Sequence, residues 1–423
     1  MASSHAAGAP RTPSPLSLRA NFGWIFLGTA AYSLSQWGLL VAVARIGTVD
    51  MVGQLALGFA LVTPITLLFN LNLRAVQATD ATDQYRFSTY LGLRLVSTLM
   101  GLAVLMAIVL VVGYRVGIVA LVLVLGVAKA FDGVSDIVYG LLQKHERMDR
   151  IGLSLLSRGA LSLALATALI LVTHSIIWAT AGMALAWLIW LFSYDLREAR
   201  AFERARPDFS PSSLWQLSRL SLPLGIVMML LSLANNIPRY FVERSHGLAE
   251  LGYFAALAYL MIVGNTVVGA LGQAASPRLA RYHAEGDRRA FLSLLLRLLV
   301  ISLVLGLLAV CVAIIFGRQV LEIIYGPDYA VRNTLLVWLM VASMIGYVAS
   351  VLGIAITAQR CFKPQLWLFT AVVLVQTGAC ALLVPRGGGV GAAQGLLIAT
   401  AVQLVGSAWL VRRGLRLRGG ELT

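Results

Sequence analysis

Three ionisable side chains, Lys129, Asp132 and Asp136, stand within one long apolar run at spacings of three and four residues. If the run is helical, that spacing puts them on one face. An ionised group at the centre of a membrane helix costs roughly 2.5–3.5 kcal/mol on insertion scales. The face must therefore turn toward protein or toward a wet cavity. Two chemistries fit it. In one, Lys129 lines a polar cavity and Asp132 or Asp136 carries a coupling proton or cation. In the other, Lys129 and Asp132 neutralise each other and lock the surrounding helices together.

A second set gathers at Asn235, Asn236, Pro238, Arg239, Glu243 and Arg244. Two amides and two guanidiniums make a donor-rich surface. A planar guanidinium offers paired N–H groups to phosphate oxygens, so the set suits a diphosphate. Pro238 is expected to break the helix ladder locally. Glu243 and Arg244 also fit boundary charges at the outer membrane face, whereas Arg239 lies about a turn deeper.

A third set, Asn70, Asn72, Arg74, Gln77 and Asp80, marks the cytoplasmic end of an earlier run. Neither Asn70 nor Asn72 can face lipid cheaply. Arg74 fits either a ligand or a boundary anchor. Arg94 and Arg297 each fall within a turn or two of the inner face and are expected to snorkel toward it, sharing one structural role. Arg158 is comparable. Cys311, Cys361 and Cys380 include no close pair and the five histidines are scattered, so no disulfide frame, metal or cofactor is expected.

These residues must be positioned by membrane helices. Of the 423 residues, 59% are hydrophobic and only 12% charged, and mean hydropathy is +0.84. Soluble domains carry roughly 25% charged residues. Apolar runs of crossing length are expected at 22–44, 51–73, 88–113, 117–142, 151–173, 175–195, 218–242, 250–275, 292–316, 333–358, 364–384 and 389–411. They are too long and continuous for barrel strands. The expected fold is therefore all-α and integral to the membrane, with about twelve transmembrane helices.

Basic residues crowd alternate loops, among them Lys144, Arg147, Arg150, Arg197, Arg200, Arg204 and Arg206, then Arg288, Arg289, Arg412 and Arg413. This bias expects both termini in the cytoplasm. The net charge of +15 then reads as orientation and attraction to lipid headgroups. No folded basic face suggests nucleic acid as a partner. The Ala/Ser/Pro-rich stretch 1–20 is expected to be a disordered cytoplasmic N-terminus, followed by an uncleaved first helix.

The second half repeats the first. Arg45, Gly53, Ala56 and Leu61 recur as Arg244, Gly252, Ala255 and Leu260 at one shared interval of 199 residues. Arg86 and Arg94 recur as Arg289 and Arg297 at 203. Two six-helix lobes are expected, at 21–195 and 218–413, with a cytoplasmic linker at 196–217 and a cytoplasmic tail at 414–423. Two repeated bundles about a central site are the raw material of alternating access.

The stretch Gly140-Leu-Leu-Gln-Lys-His-Glu-Arg-Met-Asp149 resembles the loop after the fourth span of Wzx-type polysaccharide flippases, of the MOP superfamily. Ile237-Pro-Arg-Tyr240 with Gly252-Tyr-Phe254, and Ser276-Pro-Arg-Leu-Ala280 with Ala284-Glu-Gly-Asp287, resemble that family too. The resemblance covers about 20–415. It implies a MATE-like V-shaped bundle in the bacterial inner membrane that flips a polyprenyl-diphosphate-linked oligosaccharide for surface polysaccharide synthesis. Polysaccharide polymerases and glycosyltransferases would be its neighbours in that process, and membrane lipids its surroundings. Substrate contacts are carried by analogy onto Arg239, Asn235, Asn236, Arg45, Asn72 and Arg74, with Arg244 and Lys129 beside them.

Competing readings are weaker on the residues. A MATE-like small-molecule or cation antiporter would place an acidic group in the first or seventh span. Residues 21–49 contain none, and Glu243 stands at the far end of the seventh. A membrane polysaccharide polymerase or ligase, which would be an enzyme, needs a large outer loop, and 317–331 is short.

Overall fold

A computed structural model describes residues 18–80, 84–203, 205–359 and 362–416, with the side chains at 18, 79, 263, 270, 273, 274, 277, 362, 363, 366 and 416 outside that description. Residues 1–17 and 417–423 of the expected terminal segments, Arg204 of the expected linker, and Cys361 likewise lie outside it. Among the described residues there is no strand. The helices are α1 (Leu18–Ile46), α2 (Val49–Asn70), α3 (Leu73–Thr79), α4 (Phe87–Val112), α5 (Val116–Lys144), α6 (Met148–Thr173) and α7 (Ile176–Trp190). After α7 come a π-helical turn (Leu191–Asp195), α8 (Leu196–Arg200), α9 (Pro211–Ala284), α10 (Arg288–Ile324), α11 (Pro327–Ala330), α12 (Asn333–Ala358) and α13 (Phe362–Arg416).

Ten of the helical stretches are long and apolar enough to cross a membrane. Two of them are too long for one crossing. The apolar stretches Pro211–Gly269 and Trp367–Leu415 hold 59 and 49 residues, about 88 and 74 Å at 1.5 Å per residue, against a hydrocarbon core of about 30 Å. Each is interrupted by a glycine with non-helical backbone, Gly247 (φ 81°) in α9 and Gly388 (φ 54°) in α13. Positive φ suits a residue without Cβ, and both lie where the sequence expected turns. Counting two passes for each gives the expected twelve crossings. Apolar side chains cover the outside: Val111, Val116, Val172, Trp367 and Val405 are all strongly exposed. Water would penalise such a surface, and lipid does not.

The chain packs as two units, one of residues 1–47 and 58–233, the other of 48–57 and 234–423. In the first, α1 and α7 lie against α6, while α3, α4 and α7 lie against α5. A core of Leu73, Phe87, Tyr90, Ile137, Leu141 and Ile151 joins them. In the second, α10 and α13 flank α12 around Leu279, Phe291, Tyr347, Val351 and Ile356. The division falls inside α9, between Leu233 and Ala234, and not in the 196–217 stretch. That stretch begins as α8, whose Ala199 is buried in the first core. The start of α9 stays with the first unit because Gly225 lets it approach the backbone of α2 and Leu71.

One sequence expectation about a break needs correction. Helix α9 runs straight through Pro238, and its non-helical residue is Gly247. Helix α2 absorbs Pro64 and ends later, where Leu71 (φ 54°) and Asn72 (φ 48°) both adopt the left-handed conformation. Asparagine tolerates that region, but a bulky leucine there is strained.

In the second unit the repeat becomes a physical contact. A side chain on Gly53 would strike the Leu248 carbonyl, and one on Gly252 would strike the Val49 carbonyl. Both residue pairs are related by the same interval of 199, so the contact is reciprocal. Backbones meet here because neither residue has a Cβ. Gly252→Val should force that backbone apart and destabilise the protein by about 1–3 kcal/mol, the usual range for overpacking. A lowered thermal midpoint of the purified protein in detergent is the measurement. An unchanged midpoint would show that the close approach carries no energy.

Candidate functional site

Helix α5 is the spine of the site. Lys129, Asp132, Asp136, Tyr139 and Gln143 follow one another at alternating spacings of three and four, a continuous polar stripe on an otherwise apolar helix. The neighbouring helices each bring a partner to it.

Asp136 takes one guanidinium on each oxygen. Arg94 Nη2 of α4 stands 3.2 Å from Oδ2, and Arg74 Nη1 of α3 stands 3.5 Å from Oδ1. Arg94 also donates to Asn70 Oδ1, and Arg74 Nε donates to Gln143 Oε1 at 3.1 Å. Asp132 is built the same way. Lys129 Nζ donates to Oδ2 at 3.0 Å, and Arg158 Nη2 of α6 lies 2.8 Å from Oδ1. The network thus holds four cations and two carboxylates, an excess of positive charge.

Aromatic rings complete it. The Arg158 guanidinium sits 5.0 Å from the Trp187 ring, 5.1 Å from Tyr32 and 5.8 Å from Tyr139. Lys129 Nζ lies 5.2 Å from Trp187. Desolvated cation–π contacts of this kind contribute about 2 kcal/mol each. They explain how Arg158 remains inside at 2% exposure although its Nε and Nη1 have no hydrogen-bond partner among the described residues.

A cavity of about 540 Å³ opens on this network within the first unit. Asn70, Asn72, Arg74, Asp132, Asp136, Tyr139, Gln143 and Arg158 line it. The α2–α3 break is what brings Asn70, Asn72 and Arg74 to the same wall. Left-handed Leu71 and Asn72 redirect the chain, and the Asn72 carbonyl then accepts the first amides of α3, Ala75 at 3.0 Å and Val76 at 3.4 Å. Broken membrane helices are tolerated where the irregular backbone lines a cavity.

Of the residues singled out from sequence, Asn72, Arg74, Asp132 and Asp136 therefore line one cavity, with Lys129 bound to Asp132 behind it. Asn235, Asn236, Arg239 and Arg244 belong to the second unit. There Asn236 is buried, Arg239 is half-buried and donates from Nη1 to Asn236 Oδ1 at 2.9 Å, and Asn235 and Arg244 are exposed. Arg45, at the end of α1, is exposed. Arg94 does not snorkel: it is 0% exposed and bound into the network, whereas its repeat partner Arg297 is exposed. Their expected common role is not what the fold builds.

Sequence reasoning missed Asp195, which is fully buried in the π-helical turn, and the hydroxyls that hold it. Ser135 Oγ and Ser154 Oγ each donate to it at 2.6 Å. A serine three residues beyond Asp132 on α5 was a visible signal. Asp195 is the last residue of the expected run 175–195, next to Arg197 and Arg200, where a charge is ordinary.

A family model described as "Polysaccharide biosynthesis protein" matches residues 18–283. The chain is 23% identical over 400 residues to the capsular polysaccharide biosynthesis protein CapF of Staphylococcus aureus, covering 93% of this chain and 99% of that one. Among solved structures it is similar to the lipid II flippase MurJ in an inward closed conformation, with a TM-score of 0.74 at 13% identity, covering 93% of this chain and 89% of that one. It is also similar to an inward-facing multidrug resistance MATE family transporter of the MOP superfamily, with a TM-score of 0.70 at 16% identity over 94% and 100%. At these identities the two structures establish the fold.

Arg94 is fully enclosed and is bound to both Asp136 and Asn70. Arg94→Ala should therefore lower the unfolding midpoint sharply. Arg74→Ala should lower it less, because Arg74 is partly open to the cavity. Thermal denaturation of both variants in detergent compares them, and equal effects would contradict the assignment of Arg94 as a structural cation.

Proposed function

We propose, on the premise that this chain belongs to the polysaccharide biosynthesis protein family, that it flips a polyprenyl-diphosphate-linked oligosaccharide from one leaflet of the bacterial inner membrane to the other by alternating access. The chain is a multi-pass membrane protein with the fold of MOP-superfamily transporters. The resemblance to CapF, a capsular polysaccharide biosynthesis protein, supports a glycan precursor as the cargo. In this reading both termini are cytoplasmic, and the polymerase and glycosyltransferases of the same assembly process act before or after it. The protein moves its cargo without altering its covalent structure.

The observation that carries this proposal is the cavity that opens on the cationic network. That network holds four cations against two carboxylates, with Arg74 and Arg158 lining the cavity and Arg94 and Lys129 behind it. Arg74, partly open to the cavity it lines, presents a guanidinium of the kind that favours phosphate oxygens. Asn72 and Gln143 supply amides for sugar hydroxyls, and the prenyl chain can remain in lipid. Asp132 and Asp136, first considered for ion coupling, act in this reading as fixed counter-ions, since each already binds two cations. Lys129 tunes the cavity through Asp132.

Within the second unit, Asn235, Asn236 and Arg239 are proposed as substrate donors in their own right, Arg239 being held by Asn236. Arg45 and Arg244, both exposed at helix ends, draw the anionic substrate electrostatically.

Purified protein in liposomes should exchange a lipid-linked oligosaccharide between leaflets with its mass unchanged. Covalent extension of the glycan would support a polymerase instead. Hydrogen bonds to a charged group contribute about 1.5–3 kcal/mol each. Arg74→Ala and Arg239→Ala should each weaken flipping roughly tenfold to a hundredfold while membrane insertion stays intact. Full activity in both variants would remove the phosphate-binding roles.

A further inference from the structure

Asp132 and Asp136 each hold two cations, and Asp195, a third carboxylate beside that network, holds none among the described residues. It is 0% exposed, and no ion pair reaches it among the described residues. Its Oδ2 accepts from Ser135 and its Oδ1 from Ser154, both at 2.6 Å. An isolated carboxylate taken out of water is strongly penalised, and a buried acid escapes the penalty by taking up a proton. From α5 it faces Ser135, Tyr139 and Asp132; from α6, Ser154 and Arg158; from its own turn, Tyr194. Arg158 is committed to Asp132 at 2.8 Å. Glu198 on α8 is committed to Arg150.

The hydroxyls around Asp195 form a directed chain. Ser154 has one hydrogen to give and gives it to Asp195. Its two lone pairs face Trp190 Nε1 at 3.0 Å and the Tyr139 hydroxyl at 2.7 Å. Indole can only donate, and Ser154 has no second hydrogen, so Tyr139 must donate to Ser154. Tyr139 lines the cavity. An unbroken path thus runs from cavity to Tyr139, to Ser154, to Asp195. The carboxylate also sits in a π-helical turn, a rare deviation that recurs at functional sites.

We propose that Asp195 is a proton-binding site loaded from the cavity through Tyr139 and Ser154. A hydronium ion in the cavity passes a proton to the Tyr139 oxygen. Tyr139 passes its own to Ser154, and Ser154 passes its own to Asp195 Oδ1. The products are water, two unchanged hydroxyls and a neutral carboxylic acid. As a coupling site it rests on the transport reading above; as a proton site it stands without it.

Infrared difference spectra of the full-length protein, taken through a pH titration, read the carbonyl stretch of a protonated carboxyl group. The wild type should show a titrating band that is lost in Asp195→Asn and returns in Asp195→Glu. Tyr139→Phe should keep the band but slow its rise after a pH jump. In liposomes, an imposed pH difference should accelerate flipping by the wild type, and Asp195→Asn should lose that acceleration. A band that survives Asp195→Asn, a Tyr139→Phe rise as fast as wild type, or a band erased by sodium at constant pH would each overturn the proposal. A wild type that shows the band but flips no lipid-linked glycan would overturn the transport reading and leave the proton site standing.

Discussion

Charge inside a hydrocarbon environment must be answered by opposite charge or by hydrogen bonds, and the first unit is organised around that requirement. Helix α5 places two carboxylates one turn apart, and each oxygen of each carboxylate receives one cation. The cations come from α3, α4, α5 and α6, so the ion pairs fix the rotation of those helices about their axes. Apolar packing alone tolerates sliding, because lipid is as apolar as leucine and drives helix association weakly. A guanidinium withdrawn from its carboxylate leaves both groups stranded. The network therefore acts as the register mark of the bundle as well as the wall of its cavity.

That register is bought with local backbone strain. Two consecutive non-glycine residues, Leu71 and Asn72, hold left-handed conformations, each costing of order 1–3 kcal/mol. A straight α2 would carry Asn70 and Arg74 on adjacent turns in an unbroken row. The break instead lets Asn70 meet Arg94 while Arg74 meets Asp136 and Gln143. Tyr139 then closes one side, with the Arg74 guanidinium 5.6 Å from its ring.

Much of this could be read from the residues. The three-and-four spacing of Lys129, Asp132 and Asp136 identified the polar face of α5, because helix geometry leaves no other arrangement. Lys129 and Asp132 pair with each other, and Asp132 and Asp136 line the cavity while Lys129 stands behind it. The recurrence of Gly53 as Gly252 showed a repeat, and the fold turns it into a reciprocal backbone contact. Arg94 was not legible. Depth along a helix is set by sequence, but the direction of a side chain is set by its neighbours, and an arginine near the inner face can reach water or a carboxylate equally well. Its partner Asp136 lies 42 residues away, and nothing local signals the pairing. The Leu71 break was hidden for a related reason, since a leucine in the left-handed region is stabilised by tertiary contacts and not by its own preference.

The same reasoning separates the three acids, two lining the cavity and one fully buried, by what each can do. Asp132 and Asp136 are each held between two cations. Asp195 is ringed by hydroxyls, which serve a carboxylate as donors and a carboxylic acid as acceptors simply by rotating. Its environment accommodates both protonation states without moving a helix. A cavity that binds an anion through the cycle needs constant charge at its wall, and a device that responds to protons needs one group whose charge is free to change. In the proposed reading the second lies behind the first, joined by Tyr139 and Ser154, so that Asp195 would sense the cavity while the binding charges stay as they are.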